Sequence, residues 1–119
     1  MDIVVTNHCI VRYLERIDGF DFTELHLEYI MDQGLPSVRH IVDGEFIRWL
    51  SRKISLEPFR DTIRTIILEN LNEEQRKVVI NQPKNTVYVT TPSGSKFVVT
   101  NRHALTVTLP RLRPKMETA

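Results

Sequence analysis

The sequence predicts an α+β fold, in which N-terminal helices pack on a C-terminal antiparallel β-meander of about three to four strands. Apolar residues recur with helical spacing through the first two-thirds of the chain. After Pro83 the spacing changes to two, which is typical of strands with one buried face. The sequence contains no repeat and no linker. We therefore expect one α+β domain over residues 1–110 and a loose C-terminal tail at 111–119.

The first helix is predicted over residues 6–17, after a short extended segment at 2–5. Thr6 is a suitable N-cap because its hydroxyl can accept a hydrogen bond from the first helical turn. Asp18-Gly19 ends the helix. This helix contains the residues on which the functional hypothesis depends.

The later helices also have start or stop signals. Asp21 and Glu24 have capping-box spacing at the start of the second helix. Gly34 is placed to end that helix, because glycine readily adopts the left-handed conformation of a helix C-terminus. Ser55 is the predicted cap of the fourth helix, with Pro58 in its first turn. The helices are predicted at residues 23–33, 44–54 and 55–71, with one or two further turns at 72–81.

Three strands are predicted after Pro83, each with apolar residues at alternate positions. Short polar turns separate them, and Pro110 ends the last strand. Residues 38–42 are read as either a short strand or an irregular segment. The strands are predicted at residues 86–91, 96–100 and 104–109, with turns at 92–95 and 101–103.

The composition is that of an ordinary globular protein. The chain has 119 residues, of which 41% are hydrophobic and 26% charged, with a net charge of +1. Its single cysteine, Cys9, excludes an internal disulfide framework and is expected to be a buried, inert thiol. No run of residues is apolar enough for a membrane span. The opening Met-Asp-Ile-Val-Val-Thr has no basic region followed by an apolar one, so no signal peptide is expected. We expect a cytoplasmic protein that needs no cofactor or metal.

The first predicted helix has one side with clear functional potential. A helix advances about 100° per residue, so residues four and eight positions apart share a face. Imidazole can move a proton near neutral pH, and guanidinium groups can clamp phosphate oxygens. The alternative is a solvated face in which the arginines pair with acidic neighbours such as Glu15 and Asp18. The candidate face consists of His8, Arg12, Glu15 and Arg16.

Metal-independent cleavage of RNA suits these residue types. RNA supplies its own nucleophile, the 2′-hydroxyl, so the protein needs a base, an acid and cations for the phosphate. His8 is the candidate proton carrier, with Glu15 to orient it or to replace it as base. Arg12 and Arg16 are the candidate cations.

Further candidates lie near the C-terminus. His103, in the last predicted turn, would be the second proton carrier if the sheet packs against the first helix. Thr106, and less so Thr100, would donate hydrogen bonds to phosphate, although threonine is also common on strands for pairing alone. Tyr88 and Phe97 are assigned to the core, with base stacking from an open sheet face as the alternative.

Two segments resemble a known group of proteins. The opening helix, Asn-His-Cys-Ile-Val-Arg-Tyr-Leu-Glu-Arg, and the end, Phe-Val-Val-Thr-Asn-Arg-His-Ala-Leu-Thr-Val-Thr-Leu, resemble small ribonucleases and toxins of the barnase, colicin and RelE type (the BECR fold), including phage and prophage members. The resemblance implies that His8 and Arg12 are an active-site pair. It also implies that Arg16 is the following basic position and Thr106 the late-strand threonine. His103 has no firm counterpart in that group.

The sequence thus leads to one principal hypothesis and two alternatives. The principal one is a toxin-type endoribonuclease with RNA as its partner, and an antitoxin or host protein as a further partner. The first alternative is a non-catalytic phage or prophage protein that binds a host factor or nucleic acid, for example against a defence system. The second is a small oligomeric structural protein. The oligomeric state stays open, and no membrane partner is expected.

Overall fold

The structure is a computed structural model that describes residues 2–109. Within these residues, helices occupy the N-terminal two-thirds and strands the C-terminal third, so the predicted α+β class is confirmed. The tail predicted at 111–119 lies outside the described residues. The helices are α1 (Asn7–Arg16), α2 (Thr23–Gln33), α3 (Asp43–Lys53), α4 (Glu57–Asn70) and α5 (Glu73–Asn81), with a short 3₁₀ turn at Val38–His40.

The sheet has four strands and is mixed, whereas the sequence predicted an antiparallel meander. The extended segment near the N-terminus joins the sheet and pairs parallel with the last strand, with Val5 opposite Ala104. The other neighbours are antiparallel. A parallel pair needs a long connection, which the helices supply here. The strands are β1 (Val4–Val5), β2 (Val87–Thr90), β3 (Lys96–Thr100) and β4 (His103–Thr108), in the spatial order β1-β4-β3-β2.

The two faces of the sheet have different surroundings. Side chains alternate between the faces along a strand, and residues paired across strands share a face. The face covered by the helices is called the inner face. The opposite face is called the outer face. Inner-face residues, all buried, are Val5, Val87, Val89, Phe97, Val99, Ala104 and Val107. Outer-face residues are Val4, Tyr88, Thr90, Lys96, Val98, Thr100, His103, Thr106 and Thr108.

A β-bulge interrupts the pairing of β3 with β4. Val98 pairs with Thr106, but the next residue, Val99, pairs with Ala104. Leu105 is therefore an extra residue in β4, and its side chain is 42% exposed. The bulge lets Ala104 and Val107, three positions apart, both reach the core.

Local signals set some helix ends and not others. Thr6 caps α1 as predicted, since its hydroxyl accepts a hydrogen bond from the N–H of Cys9 at 3.1 Å. Gly34 ends α2 in the left-handed conformation, also as predicted. Asp21 does accept a hydrogen bond from the backbone N–H of Thr23 at 2.9 Å, but the N-cap of α2 is Phe22, so Asp21 acts one residue earlier than a capping box requires. The cap predicted at Ser55 is wrong, since α4 has no side-chain cap. The residues directly before these helices, Phe22 and Leu56, are buried, so core packing contributes to both starts.

One hydrophobic core joins the helices to the inner face. Tyr13 of α1 stacks on Phe97 of β3 with ring centroids 6.2 Å apart. Between α2 and α3, Tyr29 packs edge-on against Phe46 and Trp49. Phe97 thus belongs to the core as predicted, whereas Tyr88 is 57% exposed on the outer face. In the part of the chain that the structure describes, no helix is long and apolar enough to cross a membrane.

Candidate functional site

The helix α1 presents one buried side and one polar side. Its four buried residues contact the inner face and the neighbouring helices. The polar side contains the four residues predicted from the sequence, so this grouping is confirmed. We call this polar side together with Asp43 the α1 cluster. The buried residues are Cys9, Ile10, Val11 and Leu14, and the polar ones are His8, Arg12, Glu15 and Arg16.

Arg12 is held between two carboxylates. Its Nη1 donates to Glu15 Oε1 at 3.1 Å, one turn further along the helix. Its Nη2 donates to the carboxylate of Asp43, the first residue of α3. The pairing with Glu15 is the one that the alternative of a solvated face predicted. Any phosphate bound by Arg12 has to share or replace these partners.

His8 lies beside the same carboxylate. Its Nδ1 is 3.5 Å from Asp43 Oδ2, and its side chain is 44% exposed. Partial burial lowers the pKa of His8 below its usual 6.5, the positive charges of Arg12 and Arg16 lower it further, and Asp43 acts in the opposite direction. The imidazole is therefore mainly neutral at pH 7, which is the state that accepts a proton.

Arg16 contacts the sheet and not a carboxylate. Its Nη1 donates to the carbonyl oxygen of Val107 at 2.8 Å. Within residues 2–109, β4 has no strand partner on this side beyond the two residues paired with β1, and this bond satisfies one carbonyl of that edge. The pairing with Asp18 that the sequence suggested is absent from the ion pairs of residues 2–109. This bond uses one of the five N–H donors of the guanidinium group.

The structure does not bring His103 and Thr106 to the α1 cluster. His103 pairs with Val4 and Thr106 pairs with Val98, which places both on the outer face. The helix α1 covers the inner face instead. His103 is also the first residue of β4 and not part of the turn, and its Nδ1 is 2.7 Å from the carbonyl oxygen of Asn101. The six predicted site residues are thus divided between two faces of the sheet.

Asp43 is the member of the α1 cluster that sequence reasoning missed. It lies 31 residues after Arg12. Acidic residues are common in the first turn of a helix, where they interact favourably with the helix dipole. The position of Asp43 at the start of α3 therefore gave no sign of a contact with α1. Only the packing of α3 against α1 shows that this carboxylate also faces His8.

Two other candidates have structural roles. Cys9 is fully buried, and burial raises the pKa of its thiol to about 12, so the thiol is protonated and inert as predicted. The hydroxyl of Thr100 is 2.8 Å from that of Thr86, which is the cross-strand pairing expected of a threonine on a strand. Among the described residues, no group of three or more His, Cys, Asp or Glu side chains is placed to hold a metal ion.

Comparison of the chain with protein-family models, with curated proteins and with solved structures finds no match. The resemblance to the barnase, colicin and RelE-type group therefore stays a prediction.

Proposed function

We propose that the protein is a metal-independent, toxin-type endoribonuclease whose proton carrier is His8. The observation that supports this most is the position of His8 between one carboxylate and two guanidinium groups. The Asp43 carboxylate favours a proton on Nδ1, which leaves the lone pair of Nε2 to accept a proton from a ligand. The lowered pKa of His8 keeps this nitrogen unprotonated at neutral pH.

The proposed reaction is attack of a 2′-hydroxyl on the adjacent phosphorus. Nε2 of His8 takes the hydroxyl proton, the new P–O bond closes a 2′,3′-cyclic phosphate, and the bond to the 5′-oxygen breaks. Arg16, with Arg12, offsets the charge on the phosphate oxygens. Because His103 lies on the outer face, the departing 5′-oxygen takes its proton from water. Glu15 then orients Arg12 and is not the base.

The test is cleavage of total RNA in EDTA by the wild type, by His8→Ala and by the His8→Ala/Arg12→Ala double variant. Loss of a general base typically lowers the rate about 10²- to 10⁴-fold. His40→Ala is the matched control, because His40 is an exposed histidine in the 3₁₀ turn, whose Nδ1 contacts Ser37. Cleavage by the wild type and His40→Ala, but not by His8→Ala, with 2′,3′-cyclic phosphate ends, would support the proposal. Activity lost to the chelator would contradict it.

The division of the predicted residues favours a second candidate function. Arg12 is already paired with two carboxylates, and His103 and Thr106 lie on the outer face of the sheet, whereas α1 packs on the inner face. A phage-type protein that binds a host factor or nucleic acid without cleaving it needs no assembled catalytic pair. Binding that survives His8→Ala, with no cleavage by the wild type, would favour this function over the first.

A further inference from the structure

Among the described residues, no helix covers the outer face of the sheet, which is mainly polar but includes exposed apolar side chains. Tyr88 is 57% exposed and Val4 is 47% exposed. The helices that contact the sheet pack on its inner face, where the strand residues are buried. Tyr88 therefore presents an exposed aromatic ring on this face, with Val98 as its cross-strand neighbour.

The chemistry of this face suits an anionic ligand. The four strands contain no Asp or Glu. The outer face instead combines a lysine, Lys96, and a histidine, His103, with threonine hydroxyls that can donate to phosphate or ribose oxygens. The carboxylate of Glu74 borders the groove between α5 and β2 beside Tyr88, which is the side away from β4. Repulsion from Glu74 therefore favours a path for a negatively charged strand that runs from Tyr88 toward β4.

The outer face leads to the α1 cluster. Tyr88, Val98 and Thr106 are paired in one row across β2, β3 and β4. Two strand spacings separate the ends of this row, a distance of about 10 Å. Next to Thr106, at the unpaired edge of β4, Arg16 is bonded to the carbonyl of Val107. Arg16 therefore lies where the outer face meets the cluster that contains His8.

We propose that the outer face binds a single strand of RNA, with one base stacked on Tyr88 and the backbone crossing Val98 and Thr106 to reach Arg16. The inference rests on the proposed function in taking RNA as the ligand. Stacking needs a base that is free of a duplex, because a paired base does not expose its ring face. This geometry gives Thr106 a binding role that is separate from the proton transfer at His8.

The test measures binding without cleavage. The probe is a fluorescent single-stranded 2′-O-methyl RNA of about 12 nucleotides, a length within the usual range of sites for single strands. It lacks the 2′-hydroxyl that would act as nucleophile. Tyr88→Ala is expected to weaken binding at least about fivefold, whereas Tyr88→Phe keeps the ring and the affinity. A hairpin of the same length is expected to bind more weakly than the single strand.

Met31→Ala is the control for loss of an exposed apolar side chain, because Met31 is 83% exposed on α2. Circular dichroism checks that each variant is folded. Wild-type affinity in Tyr88→Ala, or no binding of the single strand by the wild type, would overturn the inference, as would a stable complex of this face with a protein in place of RNA. Weaker binding by Tyr88→Ala together with no RNA cleavage by the wild type would support the inference and reject the endoribonuclease.

Discussion

Burial and three charged neighbours act on His8 in opposite directions. Partial burial and the positive charges of Arg12 and Arg16 favour the neutral imidazole, and the carboxylate of Asp43 favours the charged one. Burial and the two arginines together outweigh Asp43, so the pKa of His8 lies below 6.5. A general base works best when its lone pair is free at the working pH, and this balance provides that.

We predict that a His8 titration followed by NMR has its midpoint below 6.5. The folded protein then binds the proton less readily than the unfolded chain. The contribution of His8 to the free energy of unfolding is therefore complete above pH 6.5 and is lost as the pH falls through the lowered folded-state pKa. Any RNA cleavage should follow the same titration and increase with pH to a plateau.

Replacing Asp43 tests the cause of this shift. Asp43→Asn removes the carboxylate charge that acts to raise the pKa of His8, so the midpoint should fall further. Asp61→Asn is the control, because Asp61 is an exposed acid paired with Arg64 on α4. It should leave the His8 midpoint unchanged. A midpoint that rises in Asp43→Asn would contradict the assigned role of Asp43.

At the scale of the elements, two glycines show how backbone conformation decides the effect of one substitution. Gly34 ends α2 with φ +67°, a conformation that disfavours a side chain. Gly44 is the second residue of α3, and its backbone is helical. A Cβ atom added at either position meets no atom within 4 Å, so backbone conformation and not crowding distinguishes the two.

We predict opposite effects of alanine at these positions. Gly34→Ala should destabilise the fold by about 1 kcal/mol, because alanine would be strained in the left-handed conformation. Gly44→Ala should stabilise it by about 0.5 kcal/mol, since alanine restricts the unfolded chain and favours the helix. Urea unfolding of both variants measures the free energies. If both substitutions changed the free energy of unfolding in the same direction, backbone conformation would not be what determines their effects.

For the whole molecule, a single core makes helices and sheet one cooperative unit. Ile10 of α1 is fully buried in a cluster that includes Val107 of β4 and Ile63 of α4. Bonds between distant segments reinforce this packing. Thr6 donates its hydroxyl to the carbonyl of Ala104 at 2.8 Å, and Arg60 of α4 donates to the Asn7 side chain at 2.7 Å.

Ile10→Ala should therefore destabilise the entire fold by about 2 to 5 kcal/mol through lost burial and a new cavity. Leu27→Ala is the matched control, because Leu27 is 51% exposed on α2 and should cost less than about 0.5 kcal/mol. Fluorescence of Trp49 and far-UV circular dichroism should report one shared urea transition. Separate transitions for the two signals would contradict the single core.

The sequence by itself determined the features that depend on neighbouring residues. Helical spacing placed His8, Arg12, Glu15 and Arg16 on one side of α1, and alternation located three strands within a residue or two of their observed bounds. The cap at Thr6 and the stop at Gly34 are likewise properties of one turn of chain. These features follow from backbone geometry that is the same in any fold.

The tertiary structure alone decided which surfaces meet. The parallel pairing of β1 with β4, the approach of Asp43 to His8, and the placement of His103 and Thr106 on the outer face all join residues distant in sequence. No local pattern specifies such contacts, because they depend on how the whole core packs. That packing determines which strand edge accepts β1 and which helix lies beside α1. A shift of one residue moves a strand side chain to the opposite face of the sheet. The bulge at Leu105 makes such a shift within β4, so the face on which Thr106 lies could not be deduced from alternation alone.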